Sequence, residues 1–471
     1  MNTFLYFFLS PLSLLFAILS DFYHGIIDSF DRPKGFNAKF GRESRIASIW
    51  NKGFKISRHR KLTRKASFEH FMVVAPTGAG KSSRILIPLL LELKNCSLVI
   101  NDPDRFIFNN FSHYLSRHFP NIKLLNFSAS ADSSGYNLLA NIKKPHDVNK
   151  LVSLLIRTVF DKSSGDPFWN ISASNLLQVF VRLAMHQPEE YRNCAQVLHI
   201  LKCFSAHPSK VDAWIIATKD EQLVLDYKAI ISTSEKTLQN IISTAQAALQ
   251  IFEDEEIAKV TSYNSIIFDK LRKQPTIIFL HNSIADQAYV NTLNGIFFSQ
   301  LFGHVLSKLP EKNDLDLFIV IEEASSLFIN QLPIALANLR KFRSGCVICC
   351  QSTNQLKTMY KEEADNIKAN AVTKLFLPGQ TSLDEMRDIE ALAGKTTYKG
   401  KKGEDKVKSL VTIEEIRQLP KNRSLILSSN YPLIKGRTRP YFRSLKYRYY
   451  SSQGAISIQS DIPDQPIKLL K

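Results

Sequence analysis

A glycine-containing loop between an apolar stretch and a helical one limits the folds open to this chain. Residues 71–83 read FMVVAPTGAGKSS, the phosphate-loop pattern G-x-x-x-x-G-K-[ST] with Ala75 in place of the first glycine. An apolar strand precedes the loop, a helical stretch follows it, and CSLVIND is the next strand. The segment therefore predicts a βαβ unit, and such units build parallel sheets. A plain glycine turn is the alternative.

The loop predicts a nucleotide site. Backbone N–H groups of such loops surround the phosphates, and glycines stand where the chain must bend or come close. Lys81 is expected to reach the β and γ phosphates, and the Ser82 hydroxyl to bind Mg²⁺. Ala75 is tolerable if its φ is negative. ATP and Mg²⁺ are thus the expected cofactors, and the residues expected to bind the nucleotide are Pro76, Thr77, Gly78, Ala79, Gly80, Lys81, Ser82 and Ser83.

Later strands end in side chains that complete such a site. LFIVIEE (317–323) is an apolar strand that ends in two acids, where most ATPases of this kind have an aspartate first. Glu322 is expected to hold the metal through water and Glu323 to polarise the attacking water; two solvated acids are the alternative. Gln351 ends the next strand and is placed to sense the γ-phosphate. Arg340 is a candidate arginine finger for a neighbouring subunit, or a solvated cation at a helix end.

The pattern of the remaining chain predicts an α/β core interrupted by helices. Apolar strands recur at 276–282, 345–352 and 373–379. Between about 145 and 270 the strands stop and the periodicity becomes helical, with a capping box predicted at Ser232 and Glu235. The expected parts are a membrane anchor at 1–20, a basic juxtamembrane segment with the first strands at 21–68, a nucleotide-binding domain at 69–145 and 270–450, an inserted all-α domain at 146–269 and a flexible tail at 451–471.

Charge points to a polyanionic partner. The formal net charge of +18 and the pI near 9.5 suit nucleic acid or an anionic membrane face, with scattered lysines as the alternative. Residues 394–408, GKTTYKGKKGEDKVK, predict a Lys- and Gly-rich loop that either contacts nucleic acid or is solvated. The six cysteines have no regular framework, as is typical of a reducing cytoplasm.

The N-terminus predicts a single membrane anchor. Its first twenty residues carry no charge and are just numerous enough to span a bilayer as a helix. A signal peptide is the competing interpretation. The basic residues that follow it place the body of the protein in the cytoplasm by the positive-inside rule. Segment 21–68 either contacts anionic headgroups or begins the folded domain.

Taken together, motifs across residues 68–445 resemble the type IV coupling proteins, the membrane-anchored ATPases of bacterial conjugation and type IV secretion. The motifs are His70 before the loop, VINDP (99–103), YNLL (136–139), DPFW (166–169), LRKFRSGCVICCQSTNQLKTMY (339–360), NAVTKLFLPGQ (370–380) and GRTRPYFR (436–443). This chain departs from the family in showing one apolar N-terminal segment rather than two, Asp104-Arg105 after Pro103, and Glu322 in place of aspartate.

The resemblance implies a homo-hexameric ring of RecA-like P-loop domains in the bacterial inner membrane, with the active sites between subunits. Arg340 then acts in trans, and Gln351 is the sensor. The implied partners are single-stranded DNA with its relaxase and relaxosome, and components of a type IV secretion channel. Two other functions stay open: delivery of protein effectors to that channel, and a nucleotide-binding scaffold with little turnover.

Overall fold

The computed structural model describes residues 37–160, 167–281, 285–400, 403–465 and 467–470. The anchor predicted at 1–20 and the first part of the basic segment lie outside these residues. Among the helices that are described, none is both long enough and apolar enough to cross a bilayer.

The described residues form eleven strands, most of them in the apolar stretches expected from the sequence. They are β1 (Phe71–Val74), β2 (Cys96–Asn101), β3 (Asn121–Leu125), β4 (Thr276–Leu280), β5 (Asp316–Ile321), β6 (Ser344–Cys350), β7 (Thr373–Phe376), β8 (Lys395–Lys399), β9 (Asp405–Ser409), β10 (Arg423–Ser428) and β11 (Ile434–Arg437). Nine of them form one sheet in the order β11-β10-β7-β1-β6-β5-β2-β4-β3. The strands from β7 to β3 are parallel, whereas β10 and β11 are antiparallel to their neighbours.

The helices follow in chain order. They are α1 (Arg64–Ser67), α2 (Ile87–Leu90), α3 (Phe106–Ser116), α4 (Pro145–Phe160), α5 (Pro167–Met185), α6 (Cys194–Ala206), α7 (Pro208–Ala217), α8 (Glu221–Ile231), α9 (Glu235–Leu249), α10 (Glu255–Ser262), α11 (Gln287–Ser307), α12 (Leu332–Asn338), α13 (Thr353–Tyr360), α14 (Glu363–Asn370), α15 (Leu383–Ala393), α16 (Ile413–Arg417) and α17 (Leu445–Ser451). A π-helical turn, Ser82–Leu86, leads into α2.

The sheet is covered on both faces, and β1 shows how. Alternate side chains of a strand point to opposite faces. Met72 and Val74 pack in a core shared with the helices between β3 and β4, whereas Phe71 and Val73 pack in a second core on the other face. All four are buried, which is why the central strands are apolar throughout rather than alternating.

Between β3 and β4 the described residues contain helices and no strand. The capping box predicted at Ser232 and Glu235 is wrong. Because α8 continues to Ile231, Ser232 is its C-terminal cap, and the side chain of Ser234 instead caps α9 by accepting the N–H of Thr237 at 3.3 Å. The division into a core and an inserted domain stays a prediction.

The Lys- and Gly-rich segment is not a loop, contrary to the prediction. Strands β8 and β9 pair antiparallel across it and form a hairpin outside the nine-stranded sheet. Its Thr, Tyr and Val residues favour extended backbone. Gly403, with a φ of 82°, supplies the left-handed conformation that the turn requires.

The chain after α17, for which the sequence predicts a flexible tail, makes defined contacts. Ile456 and Ile458 pack against the second core. Asp461 accepts a hydrogen bond from the Gly135 N–H at 2.9 Å and pairs with Lys123 at 2.7 Å. These contacts tie the segment to the edge strand β3 and to the chain that follows it.

Candidate nucleotide-binding site

The site lies where the carboxyl ends of the parallel strands meet, which is called the nucleotide-binding edge below. Because neighbouring parallel strands end at the same edge, the residues that follow them lie together, as in other open α/β sheets. The residues at this edge are Ala75 after β1, Gln351 after β6, Glu322 after β5 and Asp102 after β2. Ala75 continues the parallel ladder, since its N–H donates to the Cys350 carbonyl at 3.0 Å.

The phosphate loop has the backbone that the pattern predicts. Gly78 and Gly80 have φ values of 77° and 88°, which only glycine adopts without strain. Ala75 has a negative φ, so its methyl group is accommodated at the position where the pattern has glycine. Substitution of this glycine therefore leaves the loop geometry intact.

The remaining loop residues are held by local contacts. The Pro76 carbonyl accepts the Ala79 N–H at 3.1 Å, and the Ser83 hydroxyl donates to the Gly80 carbonyl at 3.3 Å. The Thr77 hydroxyl donates to Gln351 Oε1 at 3.2 Å. The loop is thus joined directly to the predicted sensor residue, which follows β6.

Two contacts join the start of the helix to the strand-end acids. Lys81 Nζ lies 2.6 Å from Glu323 Oε1 as an ion pair, and the Ser82 hydroxyl donates a hydrogen bond to Glu322 Oε1. A serine hydroxyl beside a carboxylate provides the hard oxygen ligands that Mg²⁺ prefers, so these residues fit the expected metal. The structure therefore brings together Lys81, Ser82, Glu322 and Glu323 as predicted, although their roles stay proposals.

The electrostatics of this edge are dominated by buried acids. Burial raises the pKa of Glu322 to about 6, and the Ser82 hydrogen bond and Lys81 offset this only in part. Burial likewise raises the pKa of Asp102 to about 7, although its carboxylate accepts the N–H groups of Ile107 and Phe108. Asp104 adds negative charge near Glu322. A bound cation is the natural way to compensate such a cluster.

Arg340 lies far from the loop of its own chain. It precedes β6, whereas the phosphate loop follows β1, so the two stand at opposite edges of the parallel sheet. The Arg340 side chain is 57% exposed and pairs with Glu69 at 3.0 Å. Within one subunit Arg340 therefore takes no part in the site.

Three polar residues near the loop were missed by sequence reasoning. Asp102 was noted only as part of a motif, and Gln380 and Glu385 were not singled out. Gln380 is buried and its amide donates to the Val74 carbonyl at 3.2 Å, immediately before the loop. Glu385 is buried on α15 and accepts the N–H of Thr353, two residues after Gln351. The available signal was that Gln380 follows the apolar strand β7.

His70, by contrast, has a structural role. Its Nδ1 accepts the Cys346 N–H at 3.0 Å, which leaves Nε2 protonated to donate to the Leu336 carbonyl at 2.8 Å. Burial lowers the pKa of His70 to about 4, so the ring is neutral. His70 thus fastens the start of β1 to β6 and α12, which sets the register of the strand that carries the loop.

Comparisons with known proteins agree with this geometry. A family model described as type IV secretory system conjugative DNA transfer matches residues 37–464. The conjugal transfer protein TraG of Escherichia coli is 23% identical over 364 residues, covering 70% of this chain and 55% of TraG. The protein VirD4 of Agrobacterium fabrum is 23% identical over 414 residues, covering 82% of this chain and 59% of VirD4. This chain therefore spans a little over half the length of these relatives.

Among solved structures, the plasmid coupling protein TrwB in complex with ADP and Mg²⁺ has a TM-score of 0.68 at 19% identity. The match covers 87% of this chain and 95% of TrwB. This likeness shows that the α/β core has the RecA-like P-loop fold that the sequence resemblance implied.

Proposed function

The chain belongs to the type IV secretory system conjugative DNA transfer family, and on that premise we propose that it is a coupling ATPase. It recruits single-stranded DNA with an attached relaxase to a type IV secretion channel and drives the transfer by ATP hydrolysis. The observation that carries this proposal is the pairing of Lys81 and Ser82 with the two acids that end β5. A scaffold would not need both acids at the loop.

The proposed chemistry follows from the contacts that each side chain gives up when ATP binds. Lys81 exchanges Glu323 for the β and γ phosphates of ATP, and this frees the Glu323 carboxylate to accept a proton from the attacking water. Ser82 and Glu322 would hold Mg²⁺, and the ion would supply positive charge that stabilises the transferred phosphoryl group. Gln351, already bonded to Thr77 of the loop, is placed to report the presence of the γ-phosphate.

Glu322 differs from the aspartate common at this position, and its length affects how the metal would be held. Glutamate is one methylene longer than the aspartate common at this position, and here its carboxylate reaches the Ser82 hydroxyl directly. The two oxygen groups that would hold Mg²⁺ are thus already side by side. The longer side chain is therefore compatible with turnover.

The assembly is proposed to be a homo-hexamer held in the bacterial inner membrane by a single N-terminal segment, with the bulk of the chain in the cytoplasm. The exposed position of Arg340 supports a site completed by a neighbour, because the residue lies at the sheet edge away from its own loop. In such a ring Arg340 stabilises charge at the next subunit's phosphates. The relaxosome and the channel components are the further partners.

The test uses the full-length protein in detergent, with phosphate release measured with and without single-stranded DNA. We expect Mg²⁺-dependent ATPase activity that Lys81→Ala reduces by at least about 10²-fold, because the cation that neutralises the phosphates is lost. Lys308→Ala is the matched control, because Lys308 is exposed and precedes β5, whereas Glu322 and Glu323 follow it. Equal activity of wild type and Lys81→Ala, or no release under any condition, would refute the proposal.

A further inference from the structure

The β8–β9 hairpin is a separate cationic element. It stands between α15 and α16 and is tied to the rest of the chain at its base, where the Leu410 N–H donates to the Gly394 carbonyl at 2.9 Å. The Ala38 N–H donates to the Lys395 carbonyl at 2.9 Å on the other side of that base. Toward the turn, both strands are exposed on both faces.

The strand register assigns the side chains to two faces. Thr396 pairs with Lys408 and Tyr398 with Lys406, so these four residues share one face. Lys408 Nζ lies 5.3 Å from the centre of the Tyr398 ring, which is 44% exposed. This surface, the tyrosine face, combines an accessible aromatic ring with two lysines.

The opposite face differs in chemistry. It carries Lys395, Thr397 and Lys399 opposite Ser409, Val407 and Asp405. The Lys399 ammonium pairs with Asp405 at 2.9 Å, and this face has no aromatic ring. On the tyrosine face Lys406 pairs with Glu404 at 2.9 Å, but no acid among the described residues pairs with Lys408. Only the tyrosine face therefore offers a ring beside a cation without an acidic partner.

Single-stranded nucleic acid is the ligand that matches such a surface. Proteins bind it without sequence preference by stacking bases on aromatic rings and placing cations along the phosphates. Successive residues on one face of a strand are about 6.6 Å apart, so Lys406 and Lys408 form a line along β9 beside the Tyr398 ring on β8. Resting on the proposed function, we propose that the tyrosine face of the hairpin grips the transported single-stranded DNA.

The position of the hairpin in the chain favours DNA over an anionic lipid surface. Helix α15 runs from the nucleotide site to the hairpin: Glu385 in its first turn accepts the Thr353 N–H, and Gly394 after its last residue leads directly into β8. Its 11 residues span roughly 16 Å. A shift of the segment that follows Gln351 is thus passed along one rigid helix to the tyrosine face, as a DNA-moving element requires.

The experiment measures binding of fluorescein-labelled oligo(dT) to the full-length protein in detergent by anisotropy. Tyr398→Ala should weaken binding about tenfold, because a stacked base is lost. The Lys406→Ala/Lys408→Ala double variant should weaken binding and reduce the salt dependence, by up to about 1.4 in the slope of log affinity against log salt. Lys395→Ala/Lys399→Ala removes the same charge from the opposite face and should leave the affinity within about twofold of wild type.

Basal ATPase activity separates this inference from the proposed function. None of these five residues lies at the phosphate loop, so DNA-free activity should match wild type in every variant. If the ATPase activity is present but Tyr398→Ala does not change the oligo(dT) affinity, the hairpin assignment is wrong and the proposed function stands. Equal losses of oligo(dT) affinity in the two double variants would have the same meaning. Nanodiscs containing phosphatidylserine give the remaining test: if they reduced wild-type affinity to that of Tyr398→Ala, the face would bind lipid instead.

Discussion

The nucleotide-binding edge and the β8–β9 hairpin are both rich in charge, yet they hold it in opposite ways. At the edge, Lys81 and Glu322 are fixed by ion pairs or hydrogen bonds at the ends of buried parallel strands. In the hairpin, Lys406 and Lys408 stand on strands exposed to solvent. Leaving a buried charge unpaired costs free energy, so the side chains of the nucleotide-binding edge are held in one arrangement that suits one ligand. Solvated charges can adjust their positions, which suits single-stranded DNA of changing sequence.

The largest effect that tests this contrast is expected from Glu323→Gln. The amide cannot accept the proton of the attacking water, so ATP hydrolysis should fall on the order of 10²-fold or more. Binding of a fluorescent ATP analogue should stay close to wild type, since Lys81 is relieved of its ion pair. Oligo(dT) affinity should not change, because the hairpin is untouched. Phosphate release and anisotropy measure the two properties.

Glu362→Gln is the matched control, because Glu362 is exposed and away from the loop. It should leave hydrolysis and both affinities unchanged. If Glu323→Gln hydrolysed ATP at the wild-type rate, Glu323 would be only a partner of Lys81, and the base would have to be sought among the other acids at this edge.

A smaller effect, on the free energy of unfolding, is expected from a valine-to-alanine substitution made once in each region. Val347 is fully buried in β6 between the two strands that carry the loop and the acids, whereas Val407 in β9 is 50% exposed. Val347→Ala should destabilise the protein by about 2 kcal/mol, from lost burial and the cavity left behind. Val407→Ala should change stability by less than about 0.5 kcal/mol. Urea unfolding midpoints compare the two, and equal shifts would mean that the hairpin is part of the core.

The same contrast explains what could be predicted from sequence. Strands such as 317–323 were recognised because burial on both faces makes them continuously apolar, and Glu322 and Glu323 stood out because they end such a strand. The hairpin was mistaken for a loop because its strands have no buried face, so Lys and Gly outweighed Tyr398 and Val407. Exposed pairing leaves little hydrophobic signal.

The site residues missed by the sequence analysis could not be predicted for a different reason. Asp102, Gln380 and Glu385 come near the loop only because β2 lies beside β5, and β7 beside β1. That order is set by packing between segments far apart in the chain, which local periodicity does not encode. The capping error at Ser232 is local instead: two serines two residues apart compete, and the true end of α8 decides between them.

A pH dependence of about the same size as the Val347→Ala effect is expected at the buried edge. Burial raises the pKa of Glu322 from 4.5 to about 6 in the folded protein. Between these values the folded state holds a proton that the unfolded chain has released, so stability without nucleotide or metal should fall as pH rises from about 4 to about 6. The loss from Glu322 is about 2 kcal/mol, at 1.36 kcal/mol per pKa unit.

Glu322→Gln isolates this contribution, because its amide oxygen still accepts the Ser82 hydroxyl but does not titrate. The drop in the urea midpoint between about pH 4 and about pH 7 should be smaller in this variant than in wild type by the equivalent of about 2 kcal/mol. Asp102, with its own pKa raised to about 7, accounts for a decline that persists in both proteins. Glu362→Gln should reproduce the wild-type drop. An identical drop in Glu322→Gln and wild type would mean that Glu322 is solvated, and the edge would then hold its charges much as the hairpin does.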